Sequence, residues 1–165
     1  MVATVLIREK NGAGATSTDK TSGTVRMKNA DDATVNTSNP MVIPTSGSDW
    51  SFEKWFRLNI SVAPSVQITN PKFYTDGANG FGTGVSLWAK AVTAYVTPAE
   101  GTASTGYSSA FGYTSGAALS LDDSAGPWTT TGDFGKWLVL LLEVASTATQ
   151  GSLTVETLTF SYDEI

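Results

Sequence analysis

Among its 165 residues the sequence has no cysteine and no histidine. Without cysteine there can be no disulfide staple, thiolate metal ligand or thiol nucleophile. Without histidine the commonest general base and the commonest transition-metal ligand are missing, which removes histidine-dependent triads and conventional zinc hydrolysis. Charge is also scarce: Asp, Glu, Lys and Arg make up 15% of the chain, against roughly 25% in an average soluble domain. The net charge of −5 opposes a phosphate-neutralising surface, so no nucleic-acid partner is expected.

Long apolar runs are missing too. The longest, residues 137–142, falls far short of the ~20 residues that span a bilayer. The apolar start of the chain is interrupted by Arg8-Glu9-Lys10 and does not read as a signal peptide. No membrane partner is expected. No segment carries a sustained 3.6-residue apolar stripe, so long amphipathic helices are not predicted.

What remains is a chain that is 41% hydrophobic and otherwise rich in Ser, Thr and Gly, which suits β-sheets joined by polar turns rather than disorder. Its length fits one domain, residues 1–165, burying about two-thirds of its unfolded surface. The fold class predicted is all-β: an antiparallel β-sandwich, jelly-roll-like, with long Gly/Ser/Thr-rich loops.

Alternation at period two marks the strands. Residues 2–8 read as a first strand or, within residues 1–10, an N-terminal arm. Residues 24–28 alternate as a strand with one wet face. Residues 31–47, with Pro40 and Pro44, should form a long loop. Residues 50–62 give the clearest strand: Phe52, Phe56, Leu58, Ile60 and Val62 share one phase, and Lys54 alone breaks it. Two short extended pieces, residues 66–68 and 72–74, hinge at Asn70-Pro71, where a bulge or edge position would accommodate the proline. Four glycines within residues 76–84 predict a tight multi-turn connection. Residues 85–90 alternate again. Residues 97–133 are too long for a structureless loop, so one or two short strands or a helical turn are expected there. Residues 137–144, nearly all apolar, predict a central strand covered on both faces. In residues 152–162 the apolar phase changes near Glu156-Thr157, predicting a strand with a β-bulge.

Nine of the ten Lys/Arg precede residue 91, leaving +2 on that part and −7 on the rest. Interleaving of strands from both parts in one sheet would dilute this asymmetry; a polar head-to-tail contact surface would exploit it.

No catalytic constellation stands out. The 76–84 loop lacks the strand-to-helix setting and the terminal Lys-Ser/Thr of a phosphate loop, and Asp76 and Asn79 are out of step for calcium. The pairs Asp31-Asp32 and Asp122-Asp123 could serve carboxylate hydrolysis only if the fold set them across a cleft; otherwise they are solvated loop acids. The chain is therefore read as a non-enzyme without cofactor or metal. Trp55 and Trp88 lie on the polar phase of their strands, where a large aromatic ring needs a cover: the chain's own loop, a subunit interface, or a bound sugar. Residues 107–113 read either as an adaptable contact loop of small polar residues and rigid rings or as a strand; because Tyr107, Phe111 and Tyr113 share parity, they are expected to point into the core.

The stretches Val25-Arg26-Met27-Lys28-Asn29-Ala30-Asp31-Asp32, Phe73-Tyr74-Thr75-Asp76-Gly77-Ala78-Asn79-Gly80-Phe81-Gly82-Thr83-Gly84 and Glu156-Thr157-Leu158-Thr159-Phe160-Ser161-Tyr162-Asp163-Glu164-Ile165 resemble the small acidic β-proteins encoded among the head genes of tailed bacteriophages. Within that group the chain is most similar to capsid decoration, or cement, proteins. The resemblance implies a homo-oligomer, commonly a trimer, on the exterior of the virion capsid. It would be made in the host cytoplasm and would clamp the major capsid protein. It also implies that residues 1–10 reach across the shell. The interface residues expected on these grounds are Val2, Val5, Arg8 and Lys10, joined by Trp55 and Trp88. The alternatives are a tail or head-tail connector protein and a carbohydrate-binding module using Trp55, Trp88 or Trp128.

Overall fold

The computed structural model describes residues 2–165 and is nearly all β, with 40% of residues in strands and 2% in helix. The strands are β1 (Thr4–Asn11), β2 (Thr16–Asp19), β3 (Ser48–Trp50), β4 (Lys54–Val62), β5 (Ile68–Tyr74), β6 (Val85–Val92), β7 (Ser108–Ser109), β8 (Leu119–Ser120), β9 (Gly132–Ala145) and β10 (Thr159–Glu164). Among the described residues one 3-10 turn, Ala110–Gly112, follows β7. All pairing is antiparallel. One sheet has seven strands in the order β2-β1-β4-β9-β6-β7, with β3 also on β9; the other has three, β10-β5-β8. The result is the antiparallel sandwich-like layering expected, with very unequal layers.

Alternation explains how they pack. On the large sheet Phe56, Leu58, Leu138, Leu140, Leu87 and Ala89 form one phase and are buried against Ile68 and Phe73 of the small sheet. The opposite phase of the same strands carries Trp55, Trp137 and Val139, a second and smaller apolar cluster. β9 runs through both, which is why its sequence is nearly all apolar: a strand covered on each face has no use for a polar phase.

Two irregularities let the layers meet. Asn70 adopts φ +56° and, with Pro71, forms a bulge where β5 has one residue more than the opposing stretch of β10, between the Thr69–Asp163 and Lys72–Ser161 pairs. The predicted bulge thus accommodates the proline, whose missing N–H is not needed there, while the Pro71 carbonyl accepts from Leu121 N at 2.8 Å. In β9, Gly135 has φ +71°, and a Cβ there would lie 2.7 Å from the Leu121 carbonyl oxygen. Only glycine permits both the bulge and this close approach of β8's continuation.

Besides the single strand expected over residues 50–62, which splits into β3 ending at Trp50 and β4 beginning at Lys54, three sequence expectations need correction. Residues 24–28 do not form a strand; Val25 and Met27 pack inward, and Lys28 is fully buried rather than wet. Their carbonyls serve side chains and isolated backbone partners instead of a ladder: Lys20 Nζ donates to Thr24 O at 3.1 Å and Phe52 N to Lys28 O at 3.0 Å. The second correction concerns residues 152–158, which are also strandless, so the phase change near Glu156 marks the approach to a shorter strand rather than a bulge inside a long one. Third, the arm reading of residues 1–10 gives way to a strand from Thr4 onward, paired to β4 and β2; Met1 lies outside the described residues. The remaining expectations for residues 31–47, 76–84 and 97–133 match the loops, short strands and helical turn observed.

Because the small sheet is narrow, part of the large sheet's inner face needs another cover. Residues 20–47 supply one, held by buried charge. Glu9 on β1 and Lys54 on β4 pair at 2.9 Å, and Lys20 Nζ lies 3.6 Å from the other Glu9 oxygen. Lys54 also donates to Asp32 O, Lys20 to Ala33 O, and Lys28 to Asp32 and Asn36. Lys54 and Lys20 therefore clip the sheet's Glu9 to the loop, and Lys28 ties the loop to itself.

Candidate interaction surfaces

The outer face of the large sheet carries most of the residues singled out from sequence. Lys10 and Trp55 are cross-strand partners, as are Arg8 and Arg57. Lys10 pairs with Asp133 at 3.2 Å and Arg8 with Asp19 at 3.7 Å. Arg57 sits 4.9 Å over the Trp137 ring and 3.8 Å from Asp123.

Trp55 is only 2% exposed. Its cover is the chain's own 93–107 segment: Tyr95 meets it edge-on at 5.2 Å and reaches on to Trp137 at 5.0 Å. The interface expectation for Trp55 is therefore corrected, since no partner can reach a ring already sealed by its own loop. The segment is fastened at several points. Tyr95 OH donates to Gly12 O at 2.7 Å, Glu53 N to Ala99 O at 2.9 Å and Gly101 N to Ser51 O at 3.0 Å. At its end, Glu53 accepts a short bond from the Tyr107 hydroxyl, one from Trp55 Nε1 at 2.9 Å and one from Lys90 at 3.2 Å. Lys90 also stacks 4.0 Å over the Tyr107 ring.

The electrostatics follow from this geometry. Burial pushes the Glu53 carboxyl up, but the donors from Tyr107, Trp55 and Lys90 outweigh it, leaving the group below its ordinary value. Burial and then the hydrogen bond to Glu53 raise the Tyr107 hydroxyl. Burial and the charge of Asp31 push Tyr95 up to about 12. Tyr107 accordingly belongs to the outer face, whereas Phe111 enters the main core and Tyr113 packs against it; the intervening 3-10 turn breaks their shared parity.

Trp88 stays half-buried, with its indole N–H given to Glu143 at 2.9 Å. The acid pairs are not set across a cleft. Asp31 accepts from Asn11 and Gly12, Asp32 from Lys28, Asp122 from Ser124 and Asp123 from Ala125. Asp76 and Asn79 cap their own turn, accepting from Ala78 and Phe81. Among the described residues no three His, Cys, Asp or Glu side chains gather to hold a metal ion, and no helix is long and apolar enough to cross a membrane.

Two surfaces emerge that strand parity did not reveal. At one end of the sandwich Thr4 pairs with Val62, Ala3 N donates to Glu164 at 2.6 Å, and Gln67 and Ile165 exchange backbone bonds. These contacts bring together Val2, Val62, Val66 and Ile165, exposed by 79%, 37%, 56% and 64%. Val2 thus lies on an apolar end, while Val5 is half-buried and packed against the core. The second surface is a groove of about 530 Å³ on the inner face, floored by residues such as Phe56, Leu87 and Leu140 and walled by residues 23–27 and 151–158. Its sequence signal was the same phase change at Glu156, which sets Leu153 and Val155 apart from the strand that follows. Comparison with protein-family models, with curated proteins and with solved structures finds no match to this chain.

Proposed function

We propose that the chain is a non-enzymatic structural protein of a tailed-bacteriophage virion, a decoration protein that binds the major capsid protein on the outside of the shell as a homo-oligomer. The observation that carries this reading is the apolar end formed by Val2, Val62, Val66 and Ile165. Exposed apolar side chains drawn to one end of a domain are a surface that a partner can cover. The end also includes Val2, the most N-terminal residue of the interface expected from the resemblance. Trp88, half-buried on the outer face, is a second point of contact for the same partner.

A two-layer body with exposed contact residues supports a stabilising role, and in a homo-oligomer the attachment would be repeated, its combined strength growing with the number of linked sites. The carbohydrate-binding alternative loses Trp55, which is sealed, and Trp128 is half-buried against Phe134 at 5.0 Å between ring centres.

Co-sedimentation with expanded capsids lacking the protein tests the proposal. The chain is expected to pellet with the shells at a saturating stoichiometry, and Val66→Asp to weaken that binding about tenfold or more, as loss of a central apolar contact does. A chain that stays in the supernatant at saturating concentration overturns it.

A further inference from the structure

We infer that the inner-face groove is a two-fold contact with a second copy of this chain. The inference rests on the homo-oligomer part of the proposed function and assigns it a surface. Three observations carry it. First, knob and hole lie on the same face: the groove of about 530 Å³ is open, and the 151–158 segment that walls it holds out Leu153 and Val155, exposed by 39% and 84%. Val35 on the opposite wall is 50% exposed. A face bearing both a protruding apolar side chain and an apolar recess is complementary to its own copy after a two-fold rotation, the arrangement of an isologous interface.

Second, the charges on this face are self-complementary. Arg26 and Glu156 both line the groove, yet neither forms an ion pair within the chain among the described residues. Lys20, the other charged lining residue, is already held by Glu9 and by the Thr24 and Ala33 carbonyls. One unmatched cation and one unmatched anion on a face are what a two-fold axis needs to form two reciprocal Arg26–Glu156 pairs. Opposite charges placed this way add orientation and specificity to an apolar contact.

Third, the groove exists because the layers are unequal. The three-stranded sheet cannot cover a seven-stranded one, and the strandless segments that substitute bury floor residues such as Phe56, Leu87 and Leu140 but leave Val35, Leu153 and Val155 exposed at the rim. A second copy completes the layer. The two-fold contact predicts a dimer, or a multiple of one, where the resemblance implies a trimer.

Sedimentation equilibrium of the full chain tests this. The wild type is expected to be dimeric at tens of micromolar. Val155→Asp, at a side chain too exposed to matter for folding, is expected to weaken dimerisation roughly thirtyfold or more with an unchanged circular-dichroism melt. R26E and E156R are each expected to weaken it about tenfold. An equimolar mixture of R26E and E156R is expected to recover dimers, because each swapped charge then faces its opposite across the axis. A monomeric wild type, a trimer, or failure of the mixture to recover overturns the inference. So does a wild type that stays monomeric while taking up a small apolar probe in the groove, which would make it a small-molecule pocket. Capsid co-sedimentation reads separately: a monomeric chain that still binds shells defeats the two-fold contact and the homo-oligomer part of the proposed function but leaves capsid binding standing, and a dimer that ignores shells does the reverse.

Discussion

Glu9 and Lys54 form a sealed ion pair: their charged atoms are 2.9 Å apart and the side chains are 0% and 1% exposed. They sit on neighbouring strands of the large sheet, on the inner phase that is otherwise apolar, and Lys54 passes one of its donors on to Asp32 O. Removing Lys54 leaves the buried Glu9 with only the longer 3.6 Å contact to Lys20 in a medium that cannot solvate it. Lys54→Met alone is therefore expected to destabilise the fold by about 3–5 kcal/mol, whereas joint replacement of Glu9 and Lys54 by apolar residues of similar volume costs much less. Urea unfolding of the two single variants and the double variant measures this directly.

The same pair shows how far the sequence could be read. Strand alternation located β4, β6 and β9 well, because a half-buried strand has to repeat at period two and a doubly covered one has to be apolar throughout. Lys54 was visible only as a break in that phase. Its partner lies 45 residues away, so nothing local could show that the break was a buried charge rather than a turn. The residues 24–28 misled for a related reason: alternation reports which side chains face inward, not whether a neighbouring strand is present to accept the ladder. Trp55 was recognised as a ring needing cover, but the cover, Tyr95, comes from a loop whose path no spacing rule sets. The groove was least legible of all, since it arises from the mismatch in width between two sheets.

Trp55 and Trp88 separate cleanly by burial. Trp55→Ala empties the centre of the outer cluster and is expected to cost about 3–5 kcal/mol, with loss of the ring contacts that hold residues 93–107. Trp88 is only partly buried, and its replacement by Ala is expected to cost less than that of Trp55, about 1–3 kcal/mol from lost burial and the hydrogen bond to Glu143. Thermal unfolding of both variants tests the contrast. Protease sensitivity should rise within residues 93–107 in the first only.

Acid sensitivity should involve Asp32. The hydrogen bond from Lys28, joined by donors from Thr34, holds its carboxyl well below the ordinary carboxylate value. A carboxyl with a depressed folded-state pKa binds protons more weakly folded than unfolded, so it contributes stability above the unfolded value near 4. That contribution is lost as pH falls below the unfolded value towards the folded one. Asp32→Asn is expected to flatten the fall in stability between about pH 4 and pH 2, measured by urea midpoints across that range. The effect should be modest because the side chain is 37% exposed and screened by solvent.

At the alkaline end the tyrosines of the 93–107 segment should titrate late. Tyr95 is pushed up to about 12 and Tyr107 higher still, so both protect the folded state below the ordinary tyrosine value near 10 and cease to do so as pH rises through their folded values. Ultraviolet difference titration of the folded chain is expected to show fewer phenolates at pH 11 than the unfolded chain shows, and Tyr107→Phe to remove part of that deficit.

Gly135 is the backbone position on which the meeting of the two layers depends. Its φ of +71° and the Leu121 carbonyl beside it leave no room for a side chain. Gly135→Ala is expected to destabilise by more than ~1 kcal/mol, whereas Gly14→Ala, at a position with open space around it, should be close to neutral. Paired denaturation curves decide the matter.

The central proposal concerns where the protein works, and electron cryomicroscopy of virions carrying it tests that most directly. The account predicts density outside the capsid shell, repeated with the shell's symmetry, into which the seven-plus-three-stranded body fits with the end bearing Val2, Val62, Val66 and Ile165 against the major capsid protein. Density for the same body confined to the tail or the connector, or virions that contain none of it, would contradict the account.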